Sequence, residues 1–165
     1  MEAVEIVLTA SEESQNPVLK GAMTLSKSTI STLESRGISK QMLIDAARGL
    51  LSLERICHLL AVQGGWWTDL ETGEPLNRNV GDLMSLINTE AGEAYDAHRT
   101  GCNDSHLTHR VGFDTEIGDM IIRIMDMCGG LGLETVGAVF EKLAYNVNRA
   151  DHKIENRRKE GGKKL

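Results

Sequence analysis

The chain has 165 residues, 41% of them hydrophobic, and a formal net charge of −6, which fits one globular domain with its own core. No apolar run is long enough to span a bilayer and the chain does not open on a signal peptide, so we expect no membrane partner and a cytoplasmic location. From position 153 onward there are six basic and two acidic residues, a net charge of +4, so the preceding residues carry −10. An acidic body of this kind disfavours nucleic acid as a partner.

The first part of the chain is poor in motifs. We interpret residues 1–40 as an N-terminal arm or leader, and residues 41–165 as the main domain. Within the arm, residues 3–8 suit either a short strand or the start of a helix, and residues 26–34 suit a short helix. Beyond it, the apolar periodicity predicts an all-α bundle of about four main helices.

The first main helix is predicted at 41–63, with Ser39 as its N-cap. Its apolar surface is broad, which indicates a central helix or a subunit interface, so we expect a homodimer or homotetramer. We expect His58 on this helix to pack or to form a hydrogen bond rather than to bind a ligand. Cys57 and Cys128 lie on apolar faces, so both thiols should be buried and reduced.

Two adjacent tryptophans, Trp66 and Trp67, follow the first main helix directly. Indole rings at a helix end can stack on a nucleobase, because every base offers a π-face. They can equally close a hydrophobic core or an interface. We retain both rings as candidate substrate-binding residues.

The remaining helices are marked by caps and glycines. The second is predicted at 80–99 with Asn79 as its N-cap, and a polar loop that contains Asp104, His106 and His109 follows it. The third is predicted at 115–129, capped by Asp114 or Thr115, and the fourth at 133–150, with a continuation through Ile154 left open. The two loop histidines are expected to be solvated.

Two acidic motifs stand out on the second and third helices: Glu90-Ala-Gly-Glu93 and Glu116-Ile-Gly-Asp119. Residues three apart share a helix face, so each motif presents a pair of carboxylates, and on antiparallel helices all four can meet. Like charges at one place need protons or a cation, and oxygen ligands suit Mg²⁺ or Mn²⁺. The small glycines Gly92 and Gly118 could permit close packing there, and charged borders without any site are the plain alternative.

The same helix border carries basic and amide groups further along the chain. Arg123 lies one turn after Asp119, which it could brace, and the fourth helix presents Lys142, Asn146 and Arg149 at the matching border. Acidic side chains along this border of two helices, with basic and amide side chains on the third helix, are suited to bind a metal-bound polyphosphate.

The spacing resembles a known family. Glu90-x-x-Glu93, then 22 residues, then Glu116-x-x-Asp119 resembles the signature of the all-α NTP pyrophosphohydrolases, and residues 142–149 are similar to the Lys-x-x-x-Asn-x-x-Arg segment of their MazG-like members. The resemblance covers about residues 43–165. It departs from the family after Asn148, where a longer charged segment replaces a Thr-Arg-Pro-like turn.

The resemblance implies Mg²⁺-dependent hydrolysis of a nucleoside triphosphate, a deoxynucleotide in particular, to the monophosphate and pyrophosphate. The four acidic residues of the two motifs would be the metal ligands and catalytic groups, and Lys142, Asn146 and Arg149 would contact the substrate. One alternative is a non-catalytic helical regulator that binds a nucleotide, a metal or another protein. A second is a DNA-binding regulator that uses residues 24–40 and the basic end.

Overall fold

A computed structural model describes residues 3–8 and 21–163, and these parts of the chain are predominantly helical. Strand β1 (Ala3–Leu8) pairs antiparallel with β2 (Gly21–Ser26), with Ala3 opposite Ser26, so the strand alternative for residues 3–8 is confirmed. The helices that follow are α1 (Lys27–Glu34), α2 (Lys40–Gln63), α3 (Val80–Thr100), α4 (Gly112–Leu131), α5 (Thr135–Asn148) and α6 (Ile154–Arg157), with a 3₁₀ turn at Ala150–His152 before α6.

Side-chain caps start three helices, at Ser39 and Asn79 as predicted and also at Ser26. The Ser26 hydroxyl accepts a hydrogen bond from the Thr29 N–H at 3.1 Å and starts α1. The Ser39 hydroxyl accepts from the Met42 N–H at 3.2 Å at the start of α2. The Asn79 side chain accepts from the Gly81 N–H at 2.7 Å and starts α3. Each cap satisfies a backbone donor that has no partner inside its helix, so local chemistry fixes these boundaries.

The predicted start of α4 is wrong by one turn. The helix begins at Gly112 after Val111, which gives no side-chain cap, rather than after Asp114 or Thr115. The Gly112 N–H donates to the Cys102 carbonyl at 3.0 Å, and Asn103 and Val111 form an isolated β-bridge. This pairing between the two ends of the loop starts the helix early. Asp114 then lies in the first turn, where its charge suits the helix dipole.

The fourth helix does not continue through Ile154, a possibility that the sequence left open. Helix α5 ends at Asn148, because Arg149 takes an extended backbone conformation with φ −63° and ψ 131°. The Arg149 guanidinium forms two hydrogen bonds with the Asp151 carboxylate, at 3.0 and 2.6 Å, across this break. A local side-chain pair of this kind competes with helix propagation.

The described residues divide into two compact units, one formed by those up to 51 and from 134 onward, and the other by residues 52–133. The core of the first unit draws on the segment before α2, the first half of α2 and α5. It contains Leu25, Ile30, Leu33, Leu43, Ala47, Val136, Phe140 and Ala144. The boundary expected at residue 40 therefore does not separate compact units, because residues 25–33 supply three of these buried side chains.

In the second unit, α3 and α4 pack along much of their length. Gly112, near the start of α4, lies against Ala97 near the end of α3, whereas Arg123 reaches Glu90 further back on α3. The two helices therefore run antiparallel, as the acidic motifs required. None of the helices in the parts that the structure describes has the length and apolar character needed to cross a bilayer.

Candidate metal centre

Three carboxylates from the two acidic motifs converge between α3 and α4. Glu90, Glu116 and Asp119 each offer an oxygen, and these atoms lie within 4.8 Å of one another. Glu90 is buried, while Glu116 and Asp119 are half-buried. Glu93 is exposed, yet its charge acts on Glu116 and raises the pKa of that carboxyl.

The register of the two helices explains the convergence. Because α3 and α4 run antiparallel, with Gly112 near Ala97, a residue earlier on α3 faces one later on α4. Glu90 on α3 therefore lies level with Asp119 on α4, and Glu93 lies level with Glu116. The spacing of three places both acids of each motif on the shared face.

Burial and the proximity of other carboxylates disfavour ionisation of two acids in this cluster, Glu116 and Asp119. Burial raises the pKa of the Glu116 carboxyl, and the neighbouring charges of Glu93, Asp119 and Glu90 raise it further. Burial also raises the pKa of Asp119, with Glu90 adding to the shift and Arg123 opposing it. Carboxylates crowded in this way are stabilised by protons or by a bound cation.

A further acid, Asp104 of the loop between α3 and α4, adds to the negative electrostatic field around the cluster. Its charge raises the pKa of both Glu116 and Asp119. Its own carboxylate accepts hydrogen bonds from the backbone N–H groups of Leu107 and His106, and the Leu107 bond is the main cause of its lowered pKa. No role was predicted for Asp104, which lies in the polar loop three residues after Gly101, the left-handed residue that ends α3.

Arg123 contacts Glu90 rather than Asp119. Its Nε donates to Glu90 Oε1 at 3.0 Å, across the two helices. The expectation that Arg123 braces Asp119 is therefore wrong as to its hydrogen-bond partner, although its charge does lower the pKa of Asp119. The pair places one positive charge at the edge of the acidic cluster.

The donor set fits a hard divalent cation. All the candidate ligand atoms are carboxylate oxygens, which suit Mg²⁺, Mn²⁺ or Ca²⁺, and the described cluster includes neither histidine nor cysteine. Burial and neighbouring carboxylates raise the pKa of Glu116 and Asp119, and Arg123 compensates in part for this shift only at Asp119. A bound cation would add to that compensation.

The glycines inside the motifs do not serve close packing. A Cβ added at Gly92 or at Gly118 would meet no atom within 4 Å, so the expectation that they allow close approach of the helices is wrong. Close approaches in this unit occur instead at Gly112, where an added Cβ would lie 3.2 Å from the Ala97 Cβ of α3, and at Gly129 and Gly130 near the end of α4.

A second polar cluster forms where the end of α4 meets α2 and the tryptophan segment. Asp126 Oδ1 accepts a hydrogen bond from Trp67 Nε1 at 2.8 Å and from His58 Nδ1 at 3.0 Å. The rings of His58 and Trp67 meet edge to face, with centroids 5.1 Å apart. The prediction of a hydrogen-bonded His58 is confirmed. Asp126 was missed, although an acid among the apolar residues of α4 is a signal that it has a buried partner.

The other predicted side chains fall in different settings. Trp67 is buried, whereas Trp66 is 62% exposed. Cys57 and Cys128 are buried as expected, and His106 and His109 are exposed. Of the two tryptophans, Trp66 therefore has its ring surface open to contact.

The three predicted phosphate contacts, Lys142, Asn146 and Arg149, belong to the first unit, whereas the carboxylates belong to the second. Lys142 Nζ lies 4.9 Å from the ring centroid of Tyr145, and Arg149 is held by Asp151. Asn146 Oδ1 is buried and accepts no hydrogen bond from the described residues, so it is an acceptor without a partner in its own unit.

Comparison with known proteins gives no family assignment. No protein-family model matches the chain, and neither a curated protein nor a solved structure matches it.

Proposed function

We propose that this protein is a MazG-like, Mg²⁺-dependent nucleoside triphosphate pyrophosphohydrolase. The observation that carries the proposal is the convergence of Glu90, Glu116 and Asp119 between two antiparallel helices. The motif order supports it, and so does the incomplete compensation of charge at the cluster. The proposed substrate is a nucleoside triphosphate, with deoxynucleotides preferred.

In the proposed reaction, water supplies an oxygen and the bond between the α- and β-phosphates breaks, which yields the monophosphate and pyrophosphate. Glu90, Glu116 and Asp119 would hold the cation, with Glu93 as a fourth proposed ligand, and one of these carboxylates would orient the attacking water and accept its proton. When bound by these carboxylates, Mg²⁺ would supply Lewis-acid activation of a phosphoryl oxygen and would lower the pKa of coordinated water.

The basic and amide groups of α5 have a separate proposed role. Lys142 and Arg149 would offset the negative charge of the phosphates, and Asn146 would bind the sugar or a phosphate oxygen. The buried, unpartnered Oδ1 of Asn146 is the feature that supports a polar ligand there. Trp66 is the proposed stacking surface for the base, since it is the exposed indole, whereas Trp67 is buried.

A nucleotide panel tests the proposal. Ribo- and deoxynucleoside triphosphates are incubated with the full-length protein and Mg²⁺, and products are separated by chromatography with pyrophosphate measured in parallel. We expect equal amounts of monophosphate and pyrophosphate, and loss of both with EDTA. Release of inorganic phosphate with a diphosphate product would contradict the proposed bond cleavage. Nucleotide binding without turnover would favour the non-catalytic regulator.

We also propose a homodimer or larger assembly through the second half of α2. That stretch leaves Ile56, Leu59 and Leu60 each more than half exposed, and apolar surface on a helix usually marks a contact. Replacing Leu60 by Glu should shift the protein toward the monomer at micromolar concentration, measured by light scattering. Leu70→Glu is the matched control, because Leu70 is 85% exposed in a loop and should leave the assembly intact. A monomeric wild type would contradict this prediction.

A further inference from the structure

We propose that Arg123 is a positioning residue of the metal centre, which fixes the orientation of the Glu90 carboxylate and acts as the chain's own counter-ion to the acidic cluster. The inference rests on the proposed function, since it concerns the same carboxylates. Replacing Arg123 should therefore raise the affinity for the metal and lower the rate of turnover.

The geometry gives Arg123 control over one specific oxygen. Its Nε donates to Glu90 Oε1 at 3.0 Å, while the Glu90 side chain is only 9% exposed. A buried carboxylate held by a planar donor has few alternative rotamers, so its second oxygen keeps a fixed direction. The Arg123 side chain is 40% exposed, so it sits at the rim of the cluster and its guanidinium also faces water.

The charge pattern gives Arg123 a second role. Glu90, Glu93, Glu116, Asp119 and Asp104 all contribute to the field around the cluster. Arg123 pairs directly with Glu90, one of the proposed ligands, and also lowers the pKa of Asp119. A positive group next to a cation site weakens binding of that cation while it orients a ligand.

The test uses three variants of the full-length protein. Arg123→Met removes the charge and the hydrogen bond, and Arg123→Lys keeps the charge but loses the planar Nε donor. Arg99→Met is the matched control, because Arg99 pairs with Asp96 at 2.6 Å on the exposed side of α3. Mg²⁺ affinity is measured without nucleotide, by the Mg²⁺-dependent rise in melting temperature, and kcat is measured separately.

We expect Arg123→Met to bind Mg²⁺ roughly threefold to twentyfold more tightly, because a positive charge is removed beside the site. Its kcat should fall by about tenfold or more, the usual effect of losing a residue that orients a metal ligand. Arg123→Lys should restore the Mg²⁺ affinity of the wild type but not its kcat. Arg99→Met should change neither by more than about twofold.

Three results would overturn the inference: unchanged kcat in Arg123→Met, full kcat in Arg123→Lys, or weaker Mg²⁺ binding in Arg123→Met. A wild type that binds Mg²⁺ but cleaves no nucleotide would overturn the proposed function instead. In that case the Mg²⁺ affinity of Arg123→Met still decides whether Arg123 is the counter-ion of the cluster. Should the Met variant fail to fold, the Lys variant alone tests the positioning role.

Discussion

Replacing Asp119 by Asn should cut turnover by a factor of about a hundred or more, while the metal-free protein stays as stable as the wild type or becomes more stable. The loss of turnover follows from removing a group that is proposed to hold and orient the metal. The gain in stability follows because Asp119 is partly desolvated and lies beside Glu90, and both effects raise its pKa and disfavour its charge. Asn keeps the shape of the side chain without that charge.

The pH dependence of stability tests whether the raised pKa of Asp119 is the cause of this gain. A carboxyl whose pKa is raised in the folded protein destabilises the folded state at pH values above that raised pKa. This destabilisation is relieved as the pH falls from the raised pKa toward the pKa of the unfolded chain. The stability advantage of Asp119→Asn over the wild type should therefore be largest near neutral pH and shrink on mild acidification. Asp96→Asn is the control, because Asp96 is exposed and its carboxylate pairs with Arg99 on the same helix. A variant that loses stability together with activity would indicate a structural ion pair instead.

Replacing Gly130 by Ala should lower the free energy of unfolding by about 2–4 kcal/mol, the combined cost of overpacking and a disturbed buried hydrogen bond. A Cβ at this position would lie 2.1 Å from the Trp67 ring, far inside van der Waals contact. Trp67 cannot move away freely, because it is buried and its Nε1 donates to Asp126 at 2.8 Å. The melting temperature should fall by roughly 5–15 °C in a calorimetric scan.

Gly49→Ala provides the matched control for this prediction. Gly49 is exposed within α2, and an added Cβ would meet no atom within 4 Å. Alanine should therefore stabilise that helix by about 0.5–1 kcal/mol, through lower backbone entropy in the unfolded chain. If Gly130→Ala were as stable as Gly49→Ala, the packing of Trp67 against the end of α4 would be disproved.

Local chemistry allowed much of the helix layout to be predicted. Ser39 and Asn79 mark helix starts because their side chains satisfy backbone donors within three residues, and sequence contains that information. The start of α4 was missed because it depends on backbone pairing between Cys102 and Gly112 across a loop. No residue type encodes such a bond.

The candidate site was likewise predicted in part, where it depends on local spacing, and missed where it depends on packing between helices. The spacing of three predicted that Glu90 and Glu93, and likewise Glu116 and Asp119, share a helix face, and the antiparallel packing brings both faces together. The partner of Arg123 could not be predicted, since one helix turn suggested Asp119 whereas the hydrogen bond crosses to the other helix. Which atoms meet across helices depends on register, and register is set by packing along their whole length.

Direct measurement of cation binding tests the central claim, which is that these carboxylates form a metal site. Mn²⁺ is titrated into metal-free protein and free Mn²⁺ is followed by electron paramagnetic resonance, with Mg²⁺ added as competitor. We predict saturable binding to the wild type and to Asp96→Asn, displaced by Mg²⁺. The double variant Glu116→Gln/Asp119→Asn should lose at least about tenfold in affinity. Equal Mn²⁺ affinity in the double variant and the wild type would contradict the account.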